Sequence, residues 1–226
     1  MDNIFNEFNL SLTDNQLYKF KKYKELLLFY NDKFNLTAIK EDREIYIKHF
    51  VDSILPYQQF KCGKFLDVGS GGGFPIIPLK IMMEEISVTM LEATGKKCEF
   101  LREVVKELDL KNAEVINGRA EELAFNNKYR ENFDHVTARA VSRLNMLCEL
   151  CLPFVKKGGS FYSYKGEGKE ELLEAEKCIK ILGGKVDRVL EYDLEGAKRC
   201  VIEIKKVGVT PNSYPRQYNK IKKNPL

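Results

Sequence analysis

The sequence predicts an α/β fold, in which helices cover both faces of a mostly parallel sheet of about seven strands and a helical extension precedes the sheet. From residue 64 onward, short apolar runs alternate with amphipathic stretches of helical period. That order is typical of parallel strands joined by helical crossovers. The first apolar run ends in a glycine-rich loop, and the residues before it show helical periodicity only.

Two helices are predicted in the extension. Residues 11–36 repeat apolar side chains at three- and four-residue steps once one turn is skipped. Thr13 and Gln16 have the spacing of a capping box at the start of this helix. A second helix is predicted from residue 41 or 42 to about Leu55, because a proline follows there.

The rest of the chain divides into strands and helices by its hydrophobic pattern. Strands are predicted at residues 64–68, 86–91, 113–116, 133–138, 159–164, 185–191 and 200–207. Helices are predicted at residues 75–84, 96–108, 144–151 and 169–182. We expect three parts: the extension at residues 1–60, the α/β domain at residues 61–207 and a tail at residues 208–226. The tail contains three prolines and no apolar period, so an irregular structure is expected for it.

Length and composition indicate a globular protein. The 226 residues are 44% hydrophobic and 31% charged, ordinary values for a domain with its own core. No apolar run approaches the ~20 residues of a membrane span, and the first residues lack the basic and apolar regions of a secretory signal. We therefore expect a cytoplasmic protein without a membrane partner.

Positive charge is concentrated near the C-terminus. The net charge is +4, and after Glu203 the chain carries six basic residues and no acidic one. A basic end of this kind is either a solvated surface or an arm that binds phosphates. The composition leaves both interpretations open.

The six cysteines mostly fall in apolar segments, and Cys148 and Cys151 have the spacing of a metal or redox motif. A second Cys or His pair is missing nearby, and in a helix both sulfurs would join the apolar face. We therefore expect buried, free thiols and no metal.

The glycine-rich loop is the strongest functional signal. A buried strand reaches Asp67, four glycines follow within five positions, and Pro75 suits the first turn of a helix. A dinucleotide fingerprint would need glycine where Phe74 stands, and a P-loop would need Gly-Lys-Ser/Thr. The pattern Asp-x-Gly-x-Gly-x-Gly is instead that of loops that bind S-adenosylmethionine. It predicts cofactor contacts at Gly69, Gly71 and Gly73, with a turn that binds no ligand as the alternative.

Polar residues follow the other predicted strands, where ligands of open α/β sheets bind. Glu92 ends the second strand about 20 residues past the loop, where a carboxylate can accept hydrogen bonds from ribose hydroxyls. Residues 118–121 follow the third strand and could bracket an adenine edge. Arg139 and Lys165 end the fourth and fifth strands, near the place of a transferred methyl group.

With these residues in place, the chain resembles the bacterial small-subunit ribosomal RNA guanine-N7 methyltransferases, the RsmG family, formerly called glucose-inhibited division protein B. The resemblance covers nearly the whole chain. Its motifs are Asn35-Leu36-Thr37, His49-Phe50-Val51-Asp52-Ser53, the loop from Phe65 to Pro78 with its Gly-Phe-Pro ending, Arg119-Ala120-Glu121, Thr137-Ala138-Arg139-Ala140, Lys165-Gly166 and the tail from Thr210 to Arg216. A generic methyltransferase would share the loop but not the motifs of the extension and the tail.

The resemblance implies a Rossmann-like class I methyltransferase fold and methyl transfer from S-adenosylmethionine to N7 of a guanine in 16S ribosomal RNA. It implies cofactor contacts at Gly69, Phe74, Ala120, Glu121 and Arg139, while Glu92 stands where aspartate is common. The expected partner is 16S ribosomal RNA or an assembling small ribosomal subunit.

We expect Arg139 and Lys165 to position the guanine, and no general base, because N7 has a free lone pair and no proton to lose. Contacts to RNA are expected from Asn35, His49, Arg199, Lys205, Arg216, Lys220, Lys222 and Lys223. His49, Asp52 and Ser53 could equally be packing residues of the extension.

Other functions remain open at this stage. A methyltransferase for another RNA or a small molecule would share the loop but would not explain the basic tail. A nicotinamide-dependent oxidoreductase is disfavoured by Phe74. A cofactor-binding protein without catalytic activity is the third alternative.

Overall fold

The computed structural model describes residues 2–226, and within them the predicted α/β class is confirmed. The strands are β1 (Lys64–Val68), β2 (Ser87–Glu92), β3 (Ala113–Asn117), β4 (Phe133–Arg139), β5 (Val155–Lys165), β6 (Gly184–Leu194) and β7 (Ala197–Lys206). These seven strands form a sheet of order β3-β2-β1-β4-β5-β7-β6. All seven predicted strands are present, and β5 begins four residues earlier than its apolar run.

The helices match the predicted positions and add several short pieces. They are α1 (Asp2–Glu7), α2 (Asp14–Phe34), α3 (Asp42–Ile45), a π-helix (Tyr46–Val51), α4 (Asp52–Ile54), α5 (Ile76–Met82), α6 (Gly95–Glu107), α7 (Ala120–Leu123), α8 (Leu144–Cys151), α9 (Lys169–Ile181) and α10 (Tyr218–Lys223). Two 3₁₀ turns lie at Tyr57–Gln59 and Leu152–Phe154. Within the described residues, no helix is long and apolar enough to cross a membrane.

The chain packs as two compact units. The first holds the extension up to Cys62 together with Ser70–Asn117, and the second holds Gly63–Gly69 together with Gly118–Leu226. In the first unit β2 and β3 pair in parallel. In the second, β1–β4 and β4–β5 are parallel, whereas β5–β7 and β6–β7 are antiparallel.

The long helix of the extension packs within the first unit through its aromatic side chains. Its capping box, Thr13 with Gln16, is formed as predicted. Phe20, Tyr23 and Leu27 are fully buried, so the turn that the predicted stripe skipped is filled by Tyr23. The Tyr23 ring stacks on Phe50, with 5.2 Å between centroids. The helix therefore has one continuous buried face.

The second predicted helix is confirmed in extent but not in winding. Asp42–Ile45 and Asp52–Ile54 are α-helical, and between them residues Tyr46–Val51 form π-helical turns. Such turns are rare, occur mostly as short insertions within α-helices and are frequent at functional sites. Here the wider turn carries His49 and Phe50.

The expectation of an irregular tail is wrong for residues Tyr218–Lys223, which form α10. Long-range hydrogen bonds fix the segment before it: the Arg130 guanidinium donates to the carbonyls of Thr210, Pro211 and Tyr214. Ile221 is fully buried. These partners are distant in sequence, so the local pattern could not reveal them.

The cysteines are all free, as predicted, and Cys62 is exposed while the other five are buried. Cys148 and Cys151 therefore lie in the core rather than at a redox surface. Among the described residues, no group of three His, Cys, Asp or Glu side chains is arranged to hold a metal ion.

Candidate cofactor and substrate site

The glycine loop closes tightly in the first unit. Gly73 N donates to the Ser70 carbonyl over 2.6 Å, and Ser70 N donates to the Leu91 carbonyl at the end of β2. Gly73 has a φ of +89°, and a Cβ there would lie 2.4 Å from Ile77 Cδ1 and 2.6 Å from the Tyr23 hydroxyl. Only glycine fits such a position without displacing its neighbours.

Glu92 joins the end of β2 to this loop. Its Oε2 accepts a hydrogen bond from Gly71 N over 2.9 Å, and its Oε1 accepts one from Thr94 N over 2.8 Å. The residue is only 7% exposed. Each carboxylate oxygen has a second lone pair, so Glu92 retains acceptor capacity after binding both amides. The structure thus brings together two residues, Gly71 and Glu92, that the sequence singled out separately.

The Phe74 ring packs against aromatic side chains of the extension. The His49 ring stacks on it at 4.4 Å between centroids with an interplanar angle of 16°, and the Tyr23 ring lies 5.6 Å away. His49 Nε2 is 2.7 Å from Thr37 Oγ1. In addition, the Tyr23 hydroxyl donates to the Gly72 carbonyl. The extension is therefore in direct contact with the loop.

His49 and Asn35, both expected to contact RNA, occupy different surroundings. His49 is 9% exposed and lies against Phe74, and its carbonyl accepts the Ser53 hydroxyl over 2.5 Å. Asn35 is exposed at the end of α2, where its φ of +50° caps the helix. The packing interpretation of His49 and Ser53 thus has contacts to support it.

In the second unit, Gly69 packs against the segment that follows β4. Gly69 has a φ of +75°, and a Cβ there would lie 2.8 Å from Val141 Cγ2. Arg139 is the last residue of β4 and pairs with Tyr164 of β5. Two residues before Arg139, on the same face of β4, the Thr137 hydroxyl donates to Asp67 Oδ1 over 2.7 Å. These contacts place Gly69 and the end of β4 side by side.

Ala120 and Glu121 begin the short helix α7. Ala120 is 8% exposed, while Glu121 lines a groove of about 570 Å³ together with Arg119, Glu122, Phe125, Pro215, Gln217, Tyr218 and Asn219. The Arg119 guanidinium lies 6.0 Å from the centroid of the Tyr218 ring, a cation–π contact. The tail thus forms one wall of a groove beside two predicted cofactor contacts.

Lys165 lies at the end of β5 as predicted, but its charge is already engaged. Its Nζ donates to the Ser142 carbonyl over 2.7 Å and forms an ion pair with Glu171 at 2.7 Å. Glu171 was not predicted as a site residue from the sequence, because one acidic residue in an exposed helical pattern carries no signal of its own.

Of the remaining residues expected to contact RNA, Arg199 and the tail lysines lie at the surface, whereas Arg216 and Lys205 bond to protein groups. Arg199 lines a groove of about 810 Å³ with Arg143, Tyr192 and Lys198 among its walls. Arg216 instead donates through its backbone N, Nε and Nη2 to Glu149, which is fully buried. Lys205 points to Ser160 Oγ at 3.4 Å. The exposed lysines of the tail are Lys220, Lys222 and Lys223.

Comparison with known proteins identifies the family of this chain. A family model described as rRNA small subunit methyltransferase G matches residues 16–199. A Ribosomal RNA small subunit methyltransferase G from Acetivibrio thermocellus is 47% identical over 223 residues, which cover 97% of this chain and 92% of that protein. Another from Alkaliphilus oremlandii is 44% identical over 96% of this chain and 94% of its own length.

Solved structures support the fold. The crystal structure of a SAM dependent methyltransferase from Aquifex aeolicus matches with a TM-score of 0.56 at 19% identity, covering 75% of this chain and 96% of that one. This likeness concerns the fold alone and confirms the predicted Rossmann-like fold. Because the family model covers most of the chain and close relatives span nearly all of it, this chain belongs to the rRNA small subunit methyltransferase G, or GidB, family.

Proposed function

We propose that this protein transfers a methyl group from S-adenosylmethionine to N7 of a guanine in 16S ribosomal RNA. The observation that carries the proposal is the glycine loop, in which Gly71 donates to Glu92 and Phe74 stacks on His49. The relatives of this chain are named as small-subunit rRNA methyltransferases. The proposal places this chain in the cytoplasm, with ribosomal RNA or an assembling small subunit as its partner.

The residues present fit the methyl donor. Gly73 lets the loop turn tightly against Ile77 and Tyr23, where a Cβ would not fit, and a glycine-built turn of this kind suits a nucleotide-like ligand. Glu92 keeps lone pairs for ribose hydroxyls, Phe74 offers an apolar surface, and Ala120 and Glu121 would bracket the adenine. When bound, this group supplies a methyl carried on a sulfonium centre.

The chain's contribution to the reaction is positioning and electrostatics. Guanine N7 attacks with its own lone pair and releases no proton, so the site needs no general base. Positive charge passes to the purine in the transition state, so a cation directly at N7 would oppose the reaction. Arg139 is therefore assigned to hold the guanine edge, where arginine donates to O6, and to contact the cofactor. Aligning two reactants in this way accounts for a large part of the rate enhancement in such enzymes.

The tail and the extension are proposed to contact the RNA backbone. Lys220, Lys222 and Lys223 project from α10, and Lys205 and Arg199 lie on or beside β7. Lysines and arginines on a phosphate-rich partner give sequence-independent affinity. In this proposal the chain consists of an extension at residues 1–60, an α/β domain at residues 61–207 and a basic tail at residues 208–226, and the extension and the tail both contact RNA.

The test is a comparison of cofactors and substrates. S-adenosylmethionine should bind in a calorimetric titration and NAD should not. With labelled cofactor, 7-methylguanine should form in 16S RNA or small subunits, and Arg139→Ala should reduce cofactor affinity or turnover at least ~10-fold. Labelling of a different RNA or of a small molecule alone would refute the proposed substrate, and undiminished values for the variant would remove Arg139 from the site.

A further inference from the structure

The ammonium group of Lys165 is held inside the protein rather than presented to a substrate. Its side chain is 10% exposed, and its Nζ lies 2.7 Å from both the Ser142 carbonyl oxygen and Glu171 Oε2. Glu171 itself is 25% exposed. A cation with a carboxylate and a carbonyl at this distance has its charge and two of its three donors matched internally.

Glu171 also completes the start of α8. Its Oε2 accepts a hydrogen bond from Leu144 N over 2.7 Å, the first amide of a helix whose N-cap residue, Arg143, makes no side-chain cap bond. The first amides of a helix lack partners within it, and a carboxylate there is favoured by the helix dipole. One carboxylate of α9 therefore connects the end of β5 to the start of α8.

These bonds fix the segment of residues 140–143, which links β4 to α8. Ala140 has a φ of +56°, unusual for a residue with a side chain. Val141 occupies the space that a Cβ on Gly69 would need, and Ser142 offers its carbonyl to Lys165. The segment begins directly after Arg139. Its placement therefore affects both Arg139 and the first glycine of the loop.

We propose that Lys165 and Glu171 are positioning residues, which hold residues 140–143 so that Arg139 and Gly69 keep their productive arrangement. In this assignment Lys165 does not contact the guanine. The pairing also neutralises the charge of Lys165 with that of Glu171, as suits a reaction that moves positive charge onto the purine. The inference rests on the proposed function for its substrate.

A double-mutant cycle tests the pair. Lys165→Met, Glu171→Gln and the double variant would be assayed for S-adenosylmethionine affinity by calorimetry and for kcat and KM with 16S RNA. Each single change is expected to weaken cofactor binding and lower kcat about tenfold, with KM for RNA unchanged. Because both residues act on one segment, the double variant should stay within about threefold of the worse single variant.

Two further variants complete the design. Lys165→Arg keeps the charge and donors and should recover most of the activity lost in Lys165→Met. Glu176→Gln is the matched control, because Glu176 lies on the same helix, α9, but pairs at the surface with Lys180 rather than with the segment of residues 140–143. It should behave as the wild type.

The opposite pattern would overturn the proposal: a folded Glu171→Gln variant with wild-type cofactor affinity and kcat, or a Lys165→Met variant that raises only KM for RNA. Glu171→Gln decides the question even where Lys165→Met does not fold. Absence of 16S methylation by the wild-type protein would instead refute the proposed substrate and leave the effects on cofactor affinity intact.

Discussion

Replacement of Arg216 by methionine should destabilise the protein strongly. The Glu149 carboxylate is fully buried and accepts three hydrogen bonds from Arg216: the backbone amide at 2.8 Å, Nε at 2.8 Å and Nη2 at 2.6 Å. Arg216→Met removes the guanidinium and two of these bonds. An isolated buried carboxylate then remains, with one amide as its partner.

The magnitude follows from that stranded charge. Removing one member of a buried ion pair costs about 3–5 kcal/mol. For a protein of this size, each kcal/mol lowers the melting temperature by about 2–4 °C, so the variant should melt roughly 6–20 °C below the wild type. The double variant Arg216→Met/Glu149→Leu should recover much of the loss, because apolar replacements of buried pairs are often tolerated.

Urea unfolding and thermal scans measure both quantities. The control is Lys180→Met, which breaks the surface pair between Lys180 and Glu176, whose side chains are 72% and 63% exposed; its effect should stay below about 0.5 kcal/mol. A loss below 1 kcal/mol for Arg216→Met would refute the reasoning. If the variant were stable but bound RNA poorly, Arg216 would be a residue that contacts RNA, as the sequence predicts.

Three further predictions concern the loop, the thiols and the tail. Gly73→Ala should weaken cofactor binding more than ~10-fold, because the added Cβ meets Ile77 and Tyr23. Gly196 has a similar φ of +81° with open space around it, so Gly196→Ala should leave cofactor affinity unchanged. Equal losses of affinity in both variants would refute the steric argument. Burial raises the pKa of the Cys148 and Cys151 thiols, so the folded state keeps protons that the unfolded state releases. The contribution of each thiol to the free energy of unfolding is therefore full below the unfolded thiol pKa of about 8.5, and it should fall above that pH by up to ~1.4 kcal/mol per pH unit. In urea unfolding between pH 7 and 10, the free energy of unfolding of Cys151→Ala should fall less steeply with pH than that of the wild type. Identical slopes for the two proteins would contradict this. Neutralising the exposed lysines of α10, which are Lys220, Lys222 and Lys223, should lower the salt dependence of RNA binding. The slope of log affinity against log salt concentration should become smaller by about 2. An unchanged slope would exclude the tail from the RNA contact.

The sequence predicted what depends on local pattern. The strand of residues 64–68, the helix of residues 144–151 and the capping box at Thr13 were all recoverable, because hydrophobic period and cap chemistry act over a few residues. Gly71 and Glu92 were each predicted as cofactor contacts, because strand ends collect at one edge of a parallel sheet, but the hydrogen bond between them was not predicted.

What the sequence missed depends on partners distant along the chain. Tyr23 fell in a turn that the apolar stripe skipped, and its hydroxyl binds a carbonyl 49 positions away. Lys165 was identified by its position after a strand, but its direction is decided by Glu171, whose role emerges only when α9 packs. The tail appeared irregular because its order comes from Arg130 and Glu149. Side-chain direction at a strand end cannot be derived from spacing.

The contact between the extension and the loop bears on where this protein can be divided. A fragment that began at residue 61 would keep every glycine of the loop and every strand of the sheet. It would lack Tyr23 and His49, however, and so would leave the Gly72 carbonyl and the Phe74 ring without the groups that cover them. The smallest piece able to form the loop is therefore larger than the α/β domain, and homologues should be compared or exchanged with their first 60 residues attached.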